Sequence, residues 1–94
     1  MKLNYKILGK GQPLIVLHGL FGMLDNWQTL GKRWAVDYQV ILVDLRNHGH
    51  SPHDPELNYQ VMMDDLEELT DDLFLDEINI IGHSMGGKLA MKFA

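Results

Sequence analysis

A glycine-flanked serine directly after an apolar run constrains this chain more than any other feature. Residues 80–87 read Ile-Ile-Gly-His-Ser-Met-Gly-Gly, so Gly82, Ser84 and Gly86 form a G-x-S-x-G pattern. This spacing predicts a tight turn from a strand into a helix that exposes the serine hydroxyl at the end of a sheet. We expect a strained backbone at the serine, and glycines where side chains would collide with a neighbouring strand and helix.

The helix after this turn would direct free backbone N–H groups and the positive end of its dipole at the group that Ser84 attacks. Ser84 is therefore a candidate nucleophile, and the Met85 N–H is a candidate oxyanion donor. The pattern also requires a donor from a loop after an earlier strand, and residues 18–22 form such a loop. We assign that donor to Leu20, with Phe21 as the alternative, and expect Phe21 and His83 to contact the substrate. The competing interpretation is a serine that only caps a helix.

Buried-type strands alternate with helical patterns along the chain. Apolar runs predict strands at 3–8, 14–17, 39–45 and 77–81. Apolar residues at helical spacing predict helices at 26–36, at 58–74 and from Ser84 onward. This order predicts an α/β fold with a mostly parallel sheet and helices on both faces. Active sites of such sheets gather at the carboxyl ends of the strands, where residues 18–19, 44–51 and 82–86 would meet.

The two internal helices have recognisable ends and faces. Asp25 is the predicted N-cap of the first, with Gln28 completing a capping box. Its two tryptophans are expected to anchor the core. The second helix is expected to turn an apolar stripe inward and its acidic residues outward. The stripe consists of Met62, Leu66, Leu69 and Leu73.

Charge and cysteine content exclude several functional classes. Ten of the thirteen acidic residues lie between Asp54 and Glu77, a stretch without Lys or Arg, and the net charge is −5. This distribution argues against a nucleic-acid partner and favours a solvated helix face. The chain has no cysteine, hence no disulfide framework or thiolate metal site. Without a membrane-length apolar run or signal-peptide pattern, we expect a soluble, cytoplasmic protein.

The segments LHGLFG, DLRNHGHS and GHSMGGK together resemble the N-terminal part of the α/β-hydrolases, in particular the YbfF-type bacterial esterases and their relatives. The resemblance covers nearly all of these residues and about the first third of such a family member. It implies that Ser84 is the nucleophile, that Leu20 and Met85 form the oxyanion hole, and that the substrates are carboxylic or thio esters. It implies no cofactor or metal.

The polar loop at 44–51 matches a family segment that is mainly structural. We expect Asp44 and Arg46 to form hydrogen bonds within it, the alternative being that Arg46 binds a substrate carboxylate. His48, His50 and His53 are expected to be solvated. A His48-x-His50 metal site is the alternative for these residues, but it lacks a third ligand at convincing spacing.

A nucleophilic serine needs a base, and neither remaining histidine suits that role. His18 is expected to make a structural hydrogen bond, and His83 would lie beside the line of attack. In the resembled family the order is Ser, then Asp or Glu, then His, so both partners would follow Ala94. We therefore expect residues 1–94 to be the N-terminal part of a single α/β-hydrolase domain, with little turnover when isolated.

The missing groups would come from the remainder of the same chain or from a complementary chain. The same scaffold also serves carbon–carbon bond hydrolases, thioesterases, acyltransferases and haloperoxidases, and the sequence does not separate these. A non-catalytic binding domain on the same fold is the alternative from another class. A short protein that assembles through its open sheet edge is a third possibility.

Overall fold

The described part of the chain contains four strands and three α-helices, and they alternate after the first two strands. The computed structural model describes residues 1–19, 22–75 and 77–93. The strands are β1 (Tyr5–Leu8), β2 (Gln12–Leu17), β3 (Tyr38–Val43) and β4 (Asn79–Gly82). A 3-10 helix (Leu24–Trp27) leads directly into α1 (Gln28–Trp34), and the other helices are α2 (Tyr59–Asp72) and α3 (Met85–Phe93).

The strands form one sheet in the order β1-β3-β2-β4. β2 pairs in parallel with both β3 and β4, whereas β1 is antiparallel to β3. In this register Leu17 lies opposite Val43 on one side and Gly82 on the other. The carboxyl ends of the three parallel strands therefore share one edge of the sheet, and the predicted mostly parallel α/β architecture is confirmed.

Helices cover both faces of the sheet, and alternation along the strands divides the core in two. Ile15 and Leu17 of β2 point to the face packed by α2 and α3, where they meet Leu66 and Leu89. Leu14 and Val16 point to the opposite face, which is covered by the 3-10 helix and α1. Because both faces are covered, the parallel strands are continuous apolar runs rather than alternating ones.

The predicted start of the first helix is wrong. Helical structure begins at Leu24, not after an Asp25 cap, and Asp25 instead accepts a 2.6 Å hydrogen bond from the Gln28 side chain. The Leu24 N–H donates to the carboxylate of Asp44, 2.7 Å away. The residue that begins the helical structure is thus bonded to a distant acceptor, which the local pattern around Asp25 does not indicate.

Helix α2 follows the prediction at its start and departs from it on its inner face. The Asn58 side chain accepts a 2.9 Å hydrogen bond from the Val61 N–H and caps the helix. Met62, Leu66 and Leu69 are buried as predicted. Asp65 contradicts the expectation that the acidic residues face outward, because its side chain is buried on the same face. Its charge is paired there with Arg46 and with the Met1 ammonium, 3.5 Å away.

No helix among residues 1–19, 22–75 and 77–93 is long and apolar enough to cross a membrane. The longest of them, α2, has 14 residues, whereas a span needs about 20. Its outer face is acidic and exposed at Asp64, Glu67 and Asp71.

Candidate active site

Ser84 occupies the junction between β4, which ends at Gly82, and α3, which begins at Met85. Its backbone has a φ of 56°, in the left-handed region that residues other than glycine rarely adopt. The residue is exposed at the carboxyl edge of the sheet. Such backbone strain persists only where the surrounding structure imposes it. Here it turns the hydroxyl-bearing side chain outward between a strand and a helix.

The two outer glycines of the motif allow α3 to pack closely on the sheet. A Cβ at Gly86 would overlap the backbone carbonyl oxygens of Leu17 and His18 at the end of β2. A Cβ at Gly82 would overlap the backbone of Gly86 itself. The two glycines therefore avoid collisions with a neighbouring strand and with the helix, as the sequence predicts.

Met85 is the first residue of α3, and its N–H is one of those that no carbonyl within the helix can accept. The following N–H, of Gly86, donates to the His83 carbonyl at 3.0 Å. The positive end of the helix dipole adds to the field around Ser84. This arrangement can stabilise negative charge that develops on a group attached to the serine oxygen.

The loop after β2 lies directly against the serine. A Cβ built on Gly19 would lie 3.3 Å from the Ser84 Cβ and 3.0 Å from Nδ1 of His83. The Gly22 N–H donates to the Gly19 carbonyl at 2.9 Å. Leu20 and Phe21 lie outside the described residues, so the oxyanion role assigned to Leu20 and the substrate contact assigned to Phe21 stay predictions.

His18 is buried, with 1% of its surface exposed, and both ring nitrogens are engaged. Nδ1 is 2.7 Å from the Gly19 carbonyl, and Nε2 accepts the Leu45 N–H at 3.0 Å. Burial lowers the pKa of this imidazole, and the nearby His48 lowers it further. The predicted structural hydrogen bond is confirmed, and these contacts leave His18 no nitrogen with which to act as a base for Ser84.

His83 is exposed and lies beside the serine. Its ring centroid is 6.1 Å from that of Trp27. The two rings border a groove with Asn26 and Leu30, and the backbone around Gly19 and Gly22 completes it. A substrate group entering this groove would contact His83, and the predicted substrate-binding role of His83 stays a prediction. Trp27 also packs on the core and stacks with Trp34, as predicted for the tryptophans.

Asp44, predicted to bond within its own loop, connects three segments of the chain. Its buried carboxylate accepts hydrogen bonds from the Leu24 N–H, the Asn4 side chain and the His50 N–H, at 2.7, 2.9 and 3.0 Å. Burial acts to raise the pKa of this carboxyl, but these hydrogen bonds together outweigh it, and the pKa is lowered. Of these three bonds only the one from His50 lies within the predicted loop, where the Asp44 carbonyl also accepts from the Ser51 hydroxyl.

Arg46 is likewise engaged mainly outside its loop. Nε and Nη2 donate to the two carboxylate oxygens of Asp65 at 2.7 and 2.9 Å, and Nη1 donates to the Glu56 carbonyl. None of these side-chain bonds lies within residues 44–51, where Arg46 bonds only through its carbonyl, which accepts from Nδ1 of His48. The guanidinium is buried and paired, which argues against the alternative that it binds a substrate carboxylate.

The histidines of the polar loop separate into two groups. His50 and His53 are exposed, as predicted, whereas His48 is buried and the prediction for it is wrong. Its Nδ1 donates to the Arg46 carbonyl at 2.8 Å, and its ring lies 4.9 Å from that of His18. Within the described ranges, no three His, Asp or Glu side chains form a group that could hold a metal ion.

Comparison with known proteins identifies the family. A family model described as alpha/beta hydrolase fold matches residues 12–94, which is most of the chain. The chain belongs to the α/β-hydrolase fold family. The predicted resemblance is thereby confirmed.

Individual relatives are similar to the chain over 84–100% of its length. Esterase YbfF of Escherichia coli (strain K12) is 48% identical over 79 residues, covering 84% of this chain and 31% of that protein. The sn-1-specific diacylglycerol lipase ABHD11 of Danio rerio is 43% identical, covering 100% of this chain and 31% of its own length. The solved structure of a marine microorganism esterase superposes with a TM-score of 0.97 at 47% identity, covering 99% of this chain and 36% of that one. The chain thus spans about a third of the length of these relatives.

Proposed function

We propose that this α/β-hydrolase chain carries the nucleophile and oxyanion site of a serine hydrolase that cleaves carboxylic or thio esters. The observation that carries the proposal is the exposed Ser84 at a φ of 56°, between a parallel strand and a helix N-terminus. The esterases and the lipase with which the chain shares 43–48% identity support the same chemistry.

In the proposed reaction, the Ser84 oxygen attacks the acyl carbonyl carbon and forms a tetrahedral intermediate. Its oxyanion accepts hydrogen bonds from the Met85 N–H and from the N–H assigned to Leu20. Collapse expels the alcohol or thiol, which takes up a proton, and leaves the acyl group on Ser84. Water then attacks the acyl-enzyme and releases the carboxylic acid.

The proton moves through a His and an Asp or Glu that we propose come from sequence outside these 94 residues. Among the described histidines, His18 has both ring nitrogens bonded to backbone groups. His83 packs towards Gly19 and Trp27. The coverage of the relatives, about a third of their length, leaves room for both missing groups. The reaction needs no metal or cofactor.

The groove beside the elbow (residues 82–86) is the proposed site for one side of the ester. Trp27 and Leu30 provide an apolar wall, and Asn26 and His83 provide polar groups. Such a mixture suits a small-molecule ester whose carbonyl lies near Ser84 and whose apolar group packs on the indole.

A fluorophosphonate probe on the complete gene product tests the proposal. Because the probe phosphorylates an activated serine, we expect stoichiometric labelling of wild type and none of Ser84→Ala. The mass increase should map to the peptide that contains residues 82–88. Ser51→Ala is not a suitable control, because Ser51 is buried and hydrogen-bonded to Asn4.

Thr29→Ala is a better control, since Thr29 is an exposed hydroxyl on α1, and it should label like wild type. Absence of labelling in the wild type, or labelling that persists in Ser84→Ala, would contradict the proposal. Hydrolysis of p-nitrophenyl esters of increasing acyl length then gives the preferred substrate size.

A further inference from the structure

Trp27 is held in place by its neighbours and borders the groove beside the elbow. It is the last residue of the 3-10 helix, immediately before α1, and its side chain is half-buried. The ring packs on the apolar cluster around Val16 and Leu42. Trp34 stacks on it, with the ring centroids 6.5 Å apart and the planes at 27°. Because these contacts fix the indole before a ligand arrives, binding against it costs little further conformational entropy.

The indole already has an aromatic neighbour in the groove. The imidazole of His83 lies 6.1 Å from it, with the two planes at 56°, and both rings line the groove. Aromatic rings prefer tilted arrangements at centroid separations of about 4.5–7 Å, because the positive edge of one ring meets the negative face of the other. The geometry indicates that Trp27 can make such ring contacts on this side.

The groove reaches the proposed nucleophile. Gly19 lines it, and a Cβ built on Gly19 would lie 3.3 Å from the Ser84 Cβ. An acyl carbonyl held at Ser84 therefore has the groove at its side. A ring that is joined to the ester by a short linker can enter the groove while the carbonyl stays at the serine.

The lining of the groove suits an uncharged ring. Among the residues that the structure describes, no Asp, Glu, Lys or Arg lines it, and an ionised group without a partner is costly to bury. Leu30, 39% exposed, adds an aliphatic wall one turn after Trp27. A saturated ring would gain only burial against these walls, whereas an aryl ring would also gain the attraction between its π-system and the indole.

From these contacts we infer that Trp27 is a specificity-determining residue, whose indole makes the groove select esters that carry an uncharged aryl group on a short linker. The inference rests on the proposed function, since it requires that Ser84 attacks the ester carbonyl. It deepens that function by naming the chemical class of the group in the groove. Trp27 contacts that group and not the reacting atoms.

Paired substrates that differ only in the ring test the inference on the complete gene product. The p-nitrophenyl esters of 3-phenylpropanoic and 3-cyclohexylpropanoic acid place the ring on the acyl side, and 2-phenylethyl and 2-cyclohexylethyl acetate place it on the alcohol side. Two methylene groups separate the ring from the ester, so the members of a pair have nearly equal intrinsic reactivity. We expect kcat/KM to be about 2-fold to 10-fold higher for the phenyl member of at least one pair, as an aromatic contact predicts.

Three variants separate the indole from the rest of the groove. Trp27→Leu removes the ring but keeps an apolar side chain, so the preference for phenyl should disappear. Trp27→Phe keeps a smaller aromatic ring and should retain part of the preference. Leu30→Ala is the matched control, because it removes the aliphatic wall. It should lower kcat/KM for both members of a pair alike and leave their ratio at the wild-type value.

Equal kcat/KM within both pairs for the wild type, or a preference that persists unchanged in Trp27→Leu, overturns the inference. A preference that Leu30→Ala loses to the same extent overturns it as well, since the indole would then not be the selecting group. If Trp27→Leu does not fold, the comparison between Trp27→Phe and Leu30→Ala decides, and only the former should reduce the ratio. A wild type that neither takes a fluorophosphonate label nor hydrolyses p-nitrophenyl acetate overturns the proposed function itself. A labelled, active wild type without the phenyl preference overturns only the role of Trp27.

Discussion

The carboxylate of Asp44, at the end of β3, accepts a 2.7 Å hydrogen bond from the backbone N–H of Leu24, twenty residues earlier. This bond fixes the far end of the loop after β2, and the bond from the Leu45 N–H to His18 fixes its near end. Both anchors come from consecutive residues of the loop after β3. The segment proposed to carry an oxyanion donor is therefore held at two points by its neighbour in the sheet.

Asp44→Asn should destabilise the fold. An amide in place of the carboxylate leaves one of the three donors without an acceptor, and an unpaired buried donor costs about 1–3 kcal/mol. We expect the free energy of unfolding, from urea denaturation monitored by circular dichroism, to fall by about that amount. Asp37→Asn, on an exposed surface, is the matched control and should change it by less than about 0.5 kcal/mol. Equal effects of the two substitutions would show that the three hydrogen bonds do not hold the loop.

Arg46→Ala should be among the most damaging single substitutions outside the apolar core. It removes the bidentate partner of the buried Asp65 carboxylate and leaves only the Met1 ammonium, 3.5 Å away, so the loss should approach the roughly 3–5 kcal/mol of a broken buried pair. The double variant Arg46→Met/Asp65→Leu should be more stable than Arg46→Ala, because it removes both charges. Lys2→Ala removes exposed ion pairs with Asp72 and Glu68 and should leave the melting temperature nearly unchanged. Thermal unfolding of the four proteins checks the order, and a double variant no better than Arg46→Ala would contradict it.

As the pH is lowered, the folded state should lose stability in a window set by the pKa of His18. Its folded pKa is lowered below the ordinary value of 6.5, so at pH above 6.5 the neutral ring contributes its full stabilisation. As the pH drops through 6.5, the unfolded chain binds the proton first and stability falls until the folded pKa is reached. Urea midpoints measured from pH 7.5 to 5 should show this decline in the wild type and a shallower one in His18→Asn. Parallel curves would contradict the assignment. Asp44 loses its stabilising contribution in a separate window, as the pH falls below 3.8, because its pKa is lowered from that value.

Gly86→Ala should disrupt the elbow, whereas Gly87→Ala should be tolerated. A methyl group at Gly86 would overlap the backbone carbonyls of Leu17 and His18, which cannot move without displacing the end of β2. At Gly87 the nearest atom outside the helix is the Gly82 carbonyl oxygen, 3.2 Å away. We expect Gly86→Ala to abolish fluorophosphonate labelling and lower the melting temperature, and Gly87→Ala to label. A soluble Gly86→Ala variant that labels at the wild-type rate would refute the steric account of the motif.

Patterns that depend on neighbouring residues were predictable from the sequence. The apolar runs and helical spacings located all four strands and all three α-helices of the described residues, with ends displaced by a few residues. The G-x-S-x-G spacing predicted the strand–turn–helix around Ser84, because that backbone requires glycines at fixed positions. Asn58 was predictable for the same reason, since a helix cap acts within one turn.

Contacts between distant residues were not predictable. Asp65 belongs to an acidic stretch and reads as a solvent-facing residue, yet Arg46, 19 residues earlier, neutralises it in the core. Asp25 has the local signature of a helix cap, but helical structure begins at Leu24, whose N–H donates to the distant Asp44 carboxylate. The spacing of residues along the sequence does not reveal such contacts, because they depend on which loops the sheet order β1-β3-β2-β4 brings together.

The sequence by itself determined the alternation of strands and helices and the glycine-flanked serine, since both depend on local sterics and on the burial of apolar faces. Only the tertiary structure decided that Gly19 lies against Ser84, that His18 has both nitrogens bonded and cannot serve as base, and that Asp44 and Leu45 hold the loop after β2. The physical reason is that parallel pairing aligns the carboxyl ends of β2, β3 and β4, so hydrogen bonds there join residues that are far apart in the chain.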